Sequence, residues 1–139
     1  MHFLLTTADG IKMDQEVVEV ILPTKDGIIG VLDHHMPLFS VLSPGVIKVR
    51  QKKNDSDNDL VLYATYGGVV SVDNNQLNVL ADMAELASDL VLEREQQALD
   101  LAKEMKKSAK DEVSIEKAQQ LIDRQTVRLN VASLRRKKS

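Results

Sequence analysis

Cysteine is absent from the 139 residues, which removes disulfides, thiolate metal sites and thiol nucleophiles together. Tryptophan is absent as well, and the aromatic side chains are only Phe3, Phe39, Tyr63 and Tyr66. A carbohydrate site built on stacked rings therefore lacks its platform. No apolar run approaches the ~18 residues that a membrane span needs, and the N-terminus lacks the apolar core of a signal peptide. The expected setting is a reducing, cytosol-like compartment. The chain is acidic overall, with a formal net charge of −3 and a pI of about 5.6. That balance argues against nucleic acid, which selects a broad basic surface.

Glycine and proline are present but confined. Every one of the 6 glycines and 3 prolines lies at or before Gly68, so the second half has no turn-forming punctuation. Charge divides in a similar way. Residues 1–90 hold 6 Lys/Arg against 13 Asp/Glu, while residues 91–139 hold 12 against 8. The chain thus reads as an acidic, turn-rich part followed by a basic, helical one.

In the first part, residues 2–7, 16–22, 28–32, 38–42, 46–53, 60–66, 69–73 and 76–80 are short, rich in β-branched residues and partly alternating. Gly, Pro and Asn/Asp clusters bound them, which predicts an all-β sandwich or barrel. Alternation is cleanest at 46–50, where Ile47 and Val49 should face inward and Lys48 and Arg50 outward. Residues 54–59 read as a polar hairpin loop. The expected division is a β-sandwich over residues 1–88 and a two-helix hairpin over 89–139.

After Glu85 the period changes to helical. Asp89 is the expected N-cap of the first helix, with Glu93 in its first turn. Ala98, Leu101, Ala102, Met105 and Ala109 form the expected buried stripe. Ser114 is the expected cap of a second helix, whose stripe is Ile115, Ala118, Ile122, Leu129 and Ala132, widened by Leu121, Val127, Val131 and Leu134. So short a connection predicts an antiparallel hairpin. Its alanine-rich seam buries little apolar area, which predicts a loosely held element.

Chemistry is harder to find. Asp55, Asp57 and Asp59 imitate the start of a calcium loop, but Leu60 and Tyr66 occupy the positions where glycine and glutamate are needed. His34 and His35 are adjacent on extended backbone and point apart, so neither they nor His2 predict a metal site. Gly67-Gly68 precedes a strand and suggests a bulge or bend, not a phosphate loop. No catalytic residues and no cofactor are expected. Arg124 and Arg128, at i and i+4, share one helix face and could clamp phosphates in a bidentate manner. Arg135, Arg136, Lys137 and Lys138 make a basic terminus suited to an acidic protein surface.

Residues 26–45 also carry a pattern. Gly27, Gly30, Val31, Leu32, His35, Pro37 and Leu38 give G-x-x-G-[VI]-L-x-x-H-x-P-L, and Pro44, Gly45, Ile47 and Val49 continue it as P-G-x-[IV]-[KR]-V. With Gly67-Gly68 and the segment from Val79 to Glu85, the chain resembles the epsilon subunit of F-type ATP synthases over nearly its whole length. Asp33-His34 stand where that family usually has Pro-Gly, and Ile28 where an acidic residue is common.

The resemblance implies a non-catalytic, peripheral subunit of the rotary central stalk, and the lack of a transit peptide favours the cytoplasmic face of a bacterial plasma membrane over a plastid thylakoid. It implies contacts with the gamma subunit, with the c-ring, and with the alpha and beta subunits through the helices, which restrain ATP hydrolysis. A loop containing Gly27, Ile28, Gly30, His35 and Pro37 would face the rotor ring, and Arg135 to Lys138 would act in inhibition. It further implies a nucleotide site at Glu85, Arg94, Arg124 and Arg128. The family's helix-one motif is broken here by Val91 and Glu95, and Leu101 replaces a further arginine, so the site is expected to be vestigial. The rival readings are a small-ligand-binding β-sandwich and a helical adaptor.

Overall fold

The computed structural model describes residues 1–138, with side chains described through Leu134. Ten strands come first: β1 (His2–Thr7), β2 (Gly10–Glu16), β3 (Glu19–Thr24), β4 (Gly27–Leu32), β5 (Leu38–Leu42), β6 (Gly45–Arg50), β7 (Val61–Thr65), β8 (Gly68–Asp73), β9 (Gln76–Ala81) and β10 (Ala84–Leu86). Two helices follow, α1 (Leu92–Ser108) and α2 (Glu112–Lys138).

The strands run in the order β10-β7-β6-β3-β5-β8-β9-β1-β2, with β4 paired to β3. All pairs are antiparallel except β1 with β9. At its middle, β3 meets β5 through the single pair Thr24–Leu42. There the sheet folds over on itself, giving the expected sandwich. The core between its layers holds Phe3, Leu5, Val20, Leu22, Val31, Leu42, Ile47, Val49, Val70, Val72, Leu77 and Val79. Alternation in β6 is as expected, since Ile47 and Val49 are fully buried while Lys48 and Arg50 lie on the other side.

Two strands escape the sequence reading. In β2 only Met13 is buried, because this is an edge strand with a mostly polar sequence and no visible period. β10 has three residues. The expected strand at 16–22 is cut, because β2 ends at Glu16 and β3 begins at Glu19. Between them the chain turns, with the Val17 and Val18 amides donating to Met1 and Arg50 carbonyls. The expected strand at 46–53 stops at Arg50, whose guanidinium reaches Glu19, Asp57 and the Asp55 carbonyl. Those bonds order the 54–59 loop, where Ser56 and Asp59 cap one another around a 3₁₀ turn.

Gly67 and Gly68 have φ of 148° and 145°. A Cβ on Gly68 would stand 2.1 Å from the Leu80 carbonyl oxygen, so the bend read from these glycines allows two backbones to touch.

Three details of the helices differ from expectation. Asp89 lies in a 3₁₀ turn (Ala87–Asp89), and Val91 is the N-cap of α1. The first turn is closed instead by Glu95, whose carboxylate accepts from the Val91 amide at 3.1 Å. At α2 the cap is Asp111, accepting from the Ser114 amide at 2.7 Å. That contact holds the Asp111 carboxyl below its ordinary range. On α1, Leu99 is buried whereas Leu101 is 63% and Met105 48% exposed. Apolar residues surround more than one face of α1, and the position of α2 selects Glu95, Leu99 and Ala102.

The hairpin packs on the outer face of β6 and β7. This second cluster consists of Leu62, Ala64, Ala87, Leu90, Val131 and Ala132, bordered by Val46, Leu60, Tyr66, Leu92, Val127 and Leu134. The main core contains no residue beyond Ala84, so its packing is complete without the helices. Truncation after Ser88 should therefore leave a cooperative thermal transition, with added dye binding at the uncovered Leu62–Ala64 face. A fragment without a transition would place the helices in the core.

Candidate functional site

The four residues expected around a nucleotide do come together, but with a fifth. Glu85 on β10 and Arg128 on α2 form an ion pair at 3.1 Å. Tyr66, just beyond β7, donates to Glu85. Arg124, one turn before Arg128, lies 5.6 Å from the centre of the Tyr66 ring. Arg94 Nε donates to Glu95 at 3.3 Å, and its Nη2 to the Asp89 carbonyl at 3.0 Å.

The addition is Glu95 itself, 1% exposed. One carboxylate oxygen accepts from Val91 and Arg94, while the other lies 3.5 Å from Arg128 Nη2. The Glu95 carboxylate thus lies between Arg94 and Arg128. Among the described residues, Arg128 Nε and Gln125 Oε1 are buried without a partner.

The expected ring-facing loop is not one loop. Gly27, Ile28 and Gly30 belong to β4, paired in full register with β3. His35 and Pro37 follow the opposite end of that strand, which at ~3.3 Å per residue lies on the order of 20 Å away. Gly27 follows the turn at 25–26, fixed by Thr24 Oγ1 donating to its carbonyl at 2.6 Å. At the other end, His34 takes φ 63° and its amide donates to Asn75 at 2.8 Å. That left-handed conformation is the one glycine would adopt most easily. Next to it Asp33 pairs with the Met1 ammonium, which holds the Asp33 carboxyl below its ordinary range. His35 Nδ1 donates to the Met36 carbonyl. Ile28 and Met36 are both exposed, at 78% and 77%, one at each end of β4.

One feature was missed in the sequence. Across the layer opposite the hairpin, Val41, Val69, Leu80, Thr6 and Ile11 are successive register partners on β5, β8, β9, β1 and β2. Val41, Val69, Leu80 and Ile11 are all exposed, as is Phe39 two residues along β5. An aligned row across five strands, apolar on four of them, is the kind of patch that marks a protein contact. Alternation hid it, because β5 and β8 carry apolar residues on both faces. Among the described residues, no group of His, Asp and Glu could hold a metal, and no helix is long and apolar enough to cross a membrane. The side chains of Arg135, Arg136, Lys137 and Lys138 lie outside the described residues.

A sandwich with one outer face covered by a helical hairpin and the other left apolar defines a two-part, contact-making architecture. Residues 1–87 match the family model "ATP synthase, Delta/Epsilon chain, beta-sandwich domain". An ATP synthase epsilon chain of Gloeobacter violaceus is 34% identical over 132 residues, covering 95% of this chain and 96% of that one. One from Halalkalibacterium halodurans is 35% identical over 133 residues, with the same coverage of 95% and 96%. A chloroplastic epsilon chain of Staurastrum punctulatum is 43% identical over 91 residues, 66% of this chain and 62% of that one. A chain in the cryo-EM structure of the Euglena gracilis mitochondrial ATP synthase OSCP/F1/c-ring assembly has the same fold. Its TM-score is 0.78 at 22% identity, covering 95% of this chain and 79% of that one. The chain belongs to the epsilon subunits of F-type ATP synthases.

The Tyr66 phenol is pushed far above its ordinary 10.0, by burial first and then by the Glu85 carboxylate that accepts its hydrogen bond. Burial raises the Tyr63 phenol as well. A raised pKa means the folded chain keeps a proton that the unfolded chain loses. This contribution to stability is whole below pH 10.0 and declines as pH rises above it. An absorbance titration of the folded chain should show both phenolates appearing above that value. A midpoint at the ordinary value in a Tyr63→Phe chain would contradict the buried placement of Tyr66.

Proposed function

We propose that this chain is a non-catalytic subunit that couples the rotor ring to the catalytic core and restrains ATP hydrolysis through its helices. Residues 1–88 form the stalk-binding unit and residues 89–139 the regulatory hairpin. The observation that carries the reading is the bare apolar row Val41–Val69–Leu80–Ile11 on the layer opposite the hairpin. In this reading the row seats the gamma subunit while the helices remain free to move on the other side. The c-ring contact uses only one end of β4, because Ile28 and His35 lie too far apart to share a small footprint. Either the turn near Gly27, Ile28 and Gly30 or the loop with His35, Met36 and Pro37 bears it. The helices and the basic residues Arg135, Arg136, Lys137 and Lys138 address the alpha and beta subunits. The setting is the cytoplasmic face of a bacterial plasma membrane, as a peripheral subunit.

Reconstitution with an alpha-beta-gamma core tests this. Val69→Lys with Leu80→Lys, both at exposed positions, should weaken binding by at least about tenfold without lowering the melting temperature. Replacing Arg135, Arg136, Lys137 and Lys138 by Ala should preserve binding but weaken inhibition of hydrolysis and its salt dependence. Unchanged binding of the row variant would place the gamma contact elsewhere.

The nucleotide site is proposed to be vestigial. Glu85, Arg94, Arg124 and Arg128 are in place, but Glu95 neutralises the cluster from within. Calorimetry with millimolar ATP should register little heat. Micromolar binding abolished by Arg124→Ala would overturn this.

A further inference from the structure

We infer that Arg128, held between Glu95 of α1 and Glu85 of β10, is a polar latch that sets whether the hairpin lies on the sandwich. The latch joins four elements through two groups. Glu95 Oε2 secures the start of α1 through Val91 and Arg94, and Glu95 Oε1 meets Arg128 of α2. Arg128 continues to Glu85 of β10, and Glu85 to Tyr66 after β7.

Three properties make this a switch and not ordinary packing. The docking cluster is shallow, with Ala64, Ala87 and Ala132 among its six buried members, so apolar burial alone holds the hairpin weakly. Glu95 is fully buried and Arg128 mostly so. A buried pair contributes little net stability, because both ions regain hydration when it opens. Removing one partner is different: the other is then buried without compensation, and docking becomes unfavourable. Arg128, paired to Glu95 and to Glu85 together, therefore fixes where the helices dock while leaving release easy. Its anion belongs to the chain, so the docked state needs no bound ligand. This concerns contacts within the chain and stands apart from the stalk assignment.

The absence of cysteine allows a direct test. Val131, buried in the docking cluster, is replaced as Val131→Cys, and thiol labelling of the full chain reports each opening. Adding Glu95→Gln should accelerate labelling by roughly ten- to a hundredfold. Arg128→Gln should do the same, and the double variant should be no faster than the faster single one. Glu116→Gln, an exposed change on α2, should leave the rate unchanged. Circular dichroism verifies that the sandwich stays folded. Should Glu95→Gln unfold it, Glu85→Gln probes the same latch from the sandwich side, with faster labelling expected. Parent-like labelling in Glu95→Gln, or effects of the two single variants that multiply, would overturn the latch.

Discussion

Among the described residues, the apolar contact of the hairpin with the sandwich lies on one surface, the outer face of β6 and β7, where Leu62 and Ala64 meet Val131 and Ala132. Small side chains let α2 approach the sheet closely, but they bury little area. The sandwich is held differently, by a core of Phe, Leu, Ile and Val side chains contributed by both layers. The two parts thus differ in cohesion by construction. What the seam lacks in apolar area it replaces with charge, concentrated at Arg128 between Glu85 and Glu95. Charge of that kind specifies position more than it adds stability.

In the proposed function, this division gives the two outer faces of the sandwich different tasks. The face under the hairpin is occupied and, in the proposed function, releasable. The face across β5, β8, β9, β1 and β2 is bare and apolar, as a contact surface for a fixed partner should be. A subunit that must stay attached while part of it moves needs this separation. If the hairpin covered the face proposed to bind the stalk, its release would compete with attachment. Helices without glycine or proline also lack the residues at which a helix most readily kinks.

The sandwich was legible because its inner strands alternate. In β6 the order Val46, Ile47, Lys48, Val49, Arg50 fixes which side is buried before any partner strand is known. β2 was not, since an edge strand that buries only Met13 has no period to read. The hairpin was legible as two helices but not in detail. Leu99 and Leu101 sit on different faces of α1, and only the placement of α2 decides between them. The arginine cluster was foreseen residue by residue, whereas the burial of Glu95 was not. A glutamate in a first helical turn ordinarily faces water, and only the convergence of Val91, Arg94 and Arg128 makes its burial tolerable. The ring-facing stretch misled for a simpler reason. Residues close in sequence were read as close in space, although β4 is extended and separates Gly27 from His35 by its own length.

Native-state hydrogen exchange on the full chain tests most directly the claim that one chain holds two bodies of unequal cohesion. Amides of β3, β6, β8 and β9 should exchange only through global unfolding, with the full denaturant dependence that such unfolding implies. Amides of α1 and α2 should exchange through an opening of lower free energy and weaker denaturant dependence. Equal free energies and equal slopes for strands and helices would mean a single cooperative unit, and would contradict the account.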